Sequence, residues 1–189
     1  MKKSQVSHVI IDIETTGLDY ENDLPIEVGF VFCNKDWEII DTYQAFVAWP
    51  EITGQDGWTE KQWQASIIHR IPFSEYRKLA KPTSVIVKEI MEKTGQPPRK
   101  PVLISDNAVF DFTFLSKIFH REGKNLFDIF HYAIWDTNLF LSETGVGDPI
   151  PVHRALQDAL LLYKAIIEAR TLLARNLGLK RYENETHTF

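Results

Sequence analysis

An apolar, β-branched run at residues 9–13, VIIDI, is followed at once by a second acid and a turn, ETTGLD. Such a run reads as a buried strand. Side chains alternate along a strand, so Ile10, Asp12 and Glu14 share one face while Val9, Ile11 and Ile13 share the other. Two carboxylates therefore leave the end of a core strand in the same direction. Each is costly to desolvate alone, and side by side they repel. A hard divalent cation held by both sets of oxygens resolves the two problems together. Thr15, Thr16 and Gly17 then turn the chain, with Gly17 free to take φ > 0.

The remaining chain reads as one α/β domain over residues 1–180 with a polar, loose tail at 181–189. Strands are expected at 27–33 (EVGFVFC) and 38–47 (EIIDTYQAFV), joined by a turn at Asn34, Lys35 and Asp36. Residues 49–63 carry three tryptophans among turn residues. Stacking on bases is one use for them; packing the loop onto the body is the favoured one. A Thr-capped helix follows at 59–69, then a mostly helical stretch over 73–93 broken near Pro82. A short strand at 102–104 leads to a helix at 108–121, with Asp106 or Asn107 available as its cap. One more strand is expected at 133–135, then a Gly/Pro loop at 144–151 and a long helix at 154–176 closed by Gly178.

The formal charge of −5 argues against a broad basic nucleic-acid surface. It leaves room for a nucleic-acid enzyme whose own cations neutralise an acidic site. Cys33 is the single cysteine, so no internal disulfide and no cysteine-based zinc site can form; it reads as a core residue. With no signal-peptide pattern and no apolar stretch of spanning length, a soluble cytoplasmic protein without membrane contact is expected.

Two further acids stand where solvent is not expected. Asp111 heads a helical stripe of Phe114, Leu115 and Ile118, and Asp158 heads one of Leu161, Leu162 and Ala165. An acid near a helix N-terminus complements the macrodipole. That accounts for its position along the helix but not for the buried face. Together with Asp12 and Glu14 the pattern suggests four converging carboxylates, self-repelling without metal. His153 lies five residues before Asp158, at the end of the Gly/Pro loop. An imidazole beside such a cluster is suited to take a proton from an attacking water near neutral pH. The remaining histidines, His69 among them, have no comparable setting.

These residues resemble a known family. DIETTGL at 12–18, NAVFDFTFL at 107–115 and HRALQDA at 153–159 look like the three motifs of the DEDDh 3′→5′ exonucleases, the DnaQ-like group that includes polymerase proofreading subunits, ribonuclease T and oligoribonuclease. The resemblance implies a ribonuclease H-like fold with a mixed five-stranded sheet in the order 3-2-1-4-5. It implies that Asp12, Glu14, Asp111 and Asp158 bind two Mg²⁺ or Mn²⁺ ions, with Asp12 bridging, and that His153 is the general base. Thr15, Gly17, Leu18 and Asn107 are the implied substrate contacts. Two departures stand out: Arg70 replaces the glycine that many members carry after the histidine matched by His69, and Asp106 replaces the histidine before Asn107.

The expected activity is release of nucleoside 5′-monophosphates from a single-stranded or frayed 3′ end, with DNA and RNA both open. A polymerase or a second copy of the chain is a candidate partner. Two rival readings stand beside this one. In a haloacid-dehalogenase-like phosphatase Asp12 is a nucleophile, but the late lysine and paired aspartates of that family are not evident. The other is an inactive nucleic-acid-binding or polymerase-docking module on the same fold.

Overall fold

The structure, a computed structural model, describes residues 5–95 and 98–178. The acidic strand β1 (His8–Thr15) lies inside a six-stranded sheet. It pairs antiparallel with β2 (Pro25–Cys33) and parallel with β5 (Val102–Ser105). Beyond β2 lies β3 (Ile39–Ala48), and beyond β5 lies β6 (Ile134–Asp136). The expected five strands are thus present in the expected order. A sixth, β4 (Lys81–Pro82), adds two residues alongside Val47 and Ala48. It forms where helix cannot continue, because a proline ring blocks the helical path yet is tolerated on an outer strand.

Helices cover both faces. Val9, Ile11 and Ile13 of β1 join one core with residues of α4 (Thr83–Thr94) and α5 (Ala108–Arg121). Ile10 and Ile104 join a second core under α6 (Asn138–Thr144) and α7 (Ala155–Asn176). The alternation read from the sequence therefore holds: Asp12 and Glu14 share the face of Ile10, the α7 side of the sheet. β2 is buried along all nine residues, as a strand covered on both sides must be.

Three further helices build the rim after β3: α1 (Pro50–Thr53), α2 (Glu60–His69) and α3 (Phe73–Leu79). Thr59 caps α2 as expected, and does so reciprocally with Gln62. The tryptophans divide between two roles. The Trp49 indole N–H donates to the Pro25 carbonyl at 2.6 Å and the Trp58 N–H donates to that of Ile71 at 3.1 Å, so both pack the loop. Trp63 is 60% exposed. The short α1 and α6 were not anticipated, and the tail at 181–189 lies outside the described residues. Among the described residues no helix is long and apolar enough to cross a membrane.

Candidate active site

β1 ends at a cleft of about 750 Å³ lined by Asp12, Glu14, Thr15, Gly17, Leu18, Asn107, His153 and Asp158, among others. Asp12 and Glu14 reach it from the strand. Asp158 arrives from the first turns of α7 and Asp111 from the first turns of α5, on the opposite side of the sheet. Asp111 is fully buried behind the lining. It accepts a short hydrogen bond from the Ser105 hydroxyl at the end of β5 and another from the Ile13 amide. Asp158 is held by its own approach loop, accepting from the amides of Val152 (2.7 Å), His153 (2.7 Å) and Arg154 (3.1 Å).

The electrostatics record the crowding. Burial, then the charges of Asp111, Glu14, Asp158 and Glu27, hold the Asp12 carboxyl well above the usual carboxylate range. Burial and the charges of Glu27, Asp158 and Asp111 push Glu14 up to about 8, against the pull of Arg154. Burial pushes Asp111 up to about 7 although the Ser105 and Ile13 hydrogen bonds oppose it. Such groups are poised to exchange protons for a cation. Glu14, His153 and Asp158 place ligand atoms within 4.8 Å of one another. Four carboxylates and an imidazole, with no thiolate, suit a hard divalent cation that prefers oxygen. Asp12 and Asp111 lie outside that tight trio but are coupled to it through charge.

Of the expected substrate contacts, Thr15, Gly17, Leu18 and Asn107 all line the cleft. Leu18 is 80% exposed at the cleft, an apolar surface open to a ligand. The Asn107 side chain accepts from the Phe110 amide at 3.4 Å and so caps α5. The Thr15 hydroxyl donates to the Gly17 carbonyl at 2.6 Å. Gly17 does not adopt positive φ, correcting the turn argument. The carboxylate of Asp23 instead lies 2.4 Å from where a Cβ would sit. Asp23 is buried, accepts from Thr16 and the Asp19 amide, and pairs with Lys61 of α2 at 3.1 Å. Glycine is needed there for close approach.

His69 also needs correcting. It is buried, lines the cleft, and takes the Ile71 amide on Nδ1 at 3.0 Å. Burial, with the charges of Arg154 and His153, pushes it down to about 4. Arg70, in the place of the family's glycine, adopts φ 54° and ends α2 in the left-handed conformation. Asp106 does not line the cleft; its carboxyl is raised by burial and by Asp148 and Asp136.

Sequence reasoning missed Glu27 and Gly29. Glu27 lies directly across from Glu14 and is completely buried. Two residues on, a Cβ at Gly29 would meet the backbone of Ala155 and Leu156 at 2.2 Å, so α7 begins pressed onto β2. An acid and a glycine inside EVGFVFC were the available signal.

The fold is a ribonuclease H-like architecture, with an acidic cleft at the end of its first strand. No protein-family model matches the chain. It is 30% identical over 172 residues to a PolC-type DNA polymerase III of Clostridium perfringens, covering 91% of this chain and 10% of that protein. Its fold matches E. coli exonuclease I in complex with a dT13 oligonucleotide, with TM-score 0.69 and 14% identity over 92% of this chain and 43% of that one. A moderately thermophilic exonuclease I from Methylocaldum szegediense gives TM-score 0.64 and 17% identity, over 94% and 42% of the two chains. The chain thus spans about a tenth of the curated relative and about two-fifths of the solved structures. The resemblance to the DEDDh 3′→5′ exonucleases is borne out by these comparisons.

Proposed function

We propose that this chain is a divalent-metal-dependent exonuclease that hydrolyses the terminal phosphodiester at a nucleic-acid 3′ end and releases nucleoside 5′-monophosphates. The observation that carries the reading is the convergence of Asp12, Glu14 and Asp158 beside His153, with Asp111 buried behind them, at the open end of one strand. Asp12, Glu14, Asp111 and Asp158 would hold two Mg²⁺ or Mn²⁺ ions. When bound, these supply Lewis-acid stabilisation of the attacking and leaving oxygens.

The chain's own residues do the rest. His153 takes a proton from the attacking water, a role that suits an imidazole within 4.8 Å of Glu14 and Asp158. The exposed Leu18 offers an apolar face to the terminal base, and Thr15, Gly17 and Asn107 border its sugar and phosphate. The proposed substrate is a single-stranded or frayed 3′ end of DNA or RNA. The relationship to a PolC-type polymerase supports a setting beside a polymerase.

Digestion of matched 3′-labelled and 5′-labelled single- and double-stranded DNA and RNA tests the reading. Stepwise loss from a free 3′-OH, dependent on Mg²⁺ or Mn²⁺ and abolished by chelator, is expected. Circular single strands cut as fast as linear ones would refute it.

A further inference from the structure

Glu27 is a charged side chain sealed inside the sheet, directly across from Glu14. A bare carboxylate there is expensive, so its partners matter. Its Oε1 accepts from Gln44 Nε2 of β3 at 2.5 Å and from Arg154 Nη2 at 3.2 Å. Its Oε2 accepts from Arg154 Nε at 3.3 Å and from the Ala155 amide at 3.3 Å. Arg154 is the residue between His153 and the first turn of α7, and it also lies over the Phe46 ring and 3.7 Å from Glu75.

His153 itself sits at φ 62°. A non-glycine residue holds that left-handed conformation only where its surroundings over-determine it. Two sets of bonds do so here. One is the Asp158 carboxylate on the amides of 152–154, and those oxygens are also the ones offered to a cation. The other is Glu27 on Arg154 and Ala155, aided by Gly29, which lets the helix start settle against the strand. Only the second is independent of the metal ligands.

We infer that Glu27 is a positioning residue for His153: it clamps Arg154 and the Ala155 amide to the sheet and so fixes the imidazole at the cleft. The inference rests on the proposed role of His153 as base. A simple charge effect behaves differently: losing a negative charge beside Glu14 weakens the attraction for a cation, which raises the Mn²⁺ needed but is made up at saturating Mn²⁺, whereas a misplaced imidazole lowers kcat there too.

The test is a double-mutant cycle of Glu27→Gln with His153→Ala, read as kcat and KM on a 3′-labelled oligonucleotide in saturating Mn²⁺. Glu27→Gln should lower kcat by about 10-fold to 100-fold with KM little changed, the cost of a misplaced catalytic group. In the His153→Ala background the same change should cost less than about 2-fold, since the two act through one group. Arg154→Ala, at a side chain 28% exposed, runs the same cycle should Glu27→Gln not fold. Equal losses in both backgrounds, or no loss in either, would overturn the inference. Hydrogen exchange at the amides of 153–155 needs no activity and separates this failure from that of the base assignment. Faster exchange in Glu27→Gln supports the clamp even if His153→Ala stays active, and unchanged exchange refutes it.

Discussion

Asp111 and Asp158 bring the same functional group to one acidic cluster from opposite faces of the sheet, Asp158 in the wall of the cleft and Asp111 behind it, yet they are held by different kinds of partner. Asp111 is fastened to the frame, by a hydroxyl at the end of β5 and an amide of β1. Asp158 is fastened to three amides of the loop that carries His153. One acid is fixed by the sheet. The other fixes the loop that presents His153, the proposed base. Two carboxylates of equal rank in the proposed catalytic set can therefore have opposite effects on the fold.

The sharpest way to break that comparison is to replace each by asparagine. Both changes should cost about 10³-fold in nuclease rate, several kcal/mol of transition-state stabilisation. Their effects on stability in chelator should differ in sign. Asp111→Asn removes a buried, repelled charge and should be neutral to stabilising, by about 1 kcal/mol. Asp158→Asn leaves one acceptor oxygen where three amides now converge on two, and should destabilise by about 1–3 kcal/mol. Equal shifts in chelator melts would mean that the two acids are not held differently.

A second break lies beneath the Asp158 side. Gly29→Ala should destabilise by about 2–3 kcal/mol, because a methyl at 2.2 Å from the Ala155 backbone forces α7 off β2. Urea denaturation reads this loss directly. Activity should fall with it even at temperatures where the variant stays folded. A variant with wild-type stability would show that α7 can shift without consequence.

pH sharpens the comparison from the Asp111 side. The folded carboxyls of Glu14, at about 8, and Asp111, at about 7, bind protons more tightly than the same groups in an unfolded chain. Between the unfolded values, near about 4, and those folded values, the native state carries more protons. Metal-free stability should therefore fall as pH rises from about 5 to about 8 and level off above. Asp111→Asn should flatten part of the fall. Saturating Mn²⁺ should shrink it, since a cation replaces the protons. Melting temperatures rising steadily across that window in chelator would contradict the buried, repelling cluster.

Much of this site was legible because it follows periodicity. Alternation along β1 put Asp12 and Glu14 on one face, where both are half-buried at the cleft, and the 3, 4 and 7 offsets put Asp111 and Asp158 on buried stripes, where both are buried. What escaped depends on contacts between distant segments. Glu27 opened an expected strand without a sign of its role, because its partners are 17 and 127 residues away. Gly17 was ascribed to dihedral freedom when the reason is the Asp23 carboxylate, brought close by the fold of its own loop. His69 lay in an unremarkable helix end until α2 packed beside the cleft. A local pattern carries the direction of a side chain, not what it meets.

The smallest expected effect tests the loop itself. His153 pays for its left-handed backbone, a cost of about 1–2 kcal/mol for a residue with a Cβ. His153→Gly relieves that cost but adds about 0.5–1 kcal/mol of unfolded-chain entropy. His153→Ala keeps the strain and removes the same imidazole. The glycine variant should therefore be the more stable of the two by about 0.5 kcal/mol, while both lose about 10²–10⁴-fold in rate as general-base help disappears. Parallel melts in chelator and in Mn²⁺ measure the difference. If alanine proves the more stable, the loop has relaxed out of its left-handed turn, and the amides of 152–154 no longer hold Asp158 as they do here. That outcome would leave Asp158 resembling Asp111 after all, an acid held by the frame rather than by the segment that carries His153.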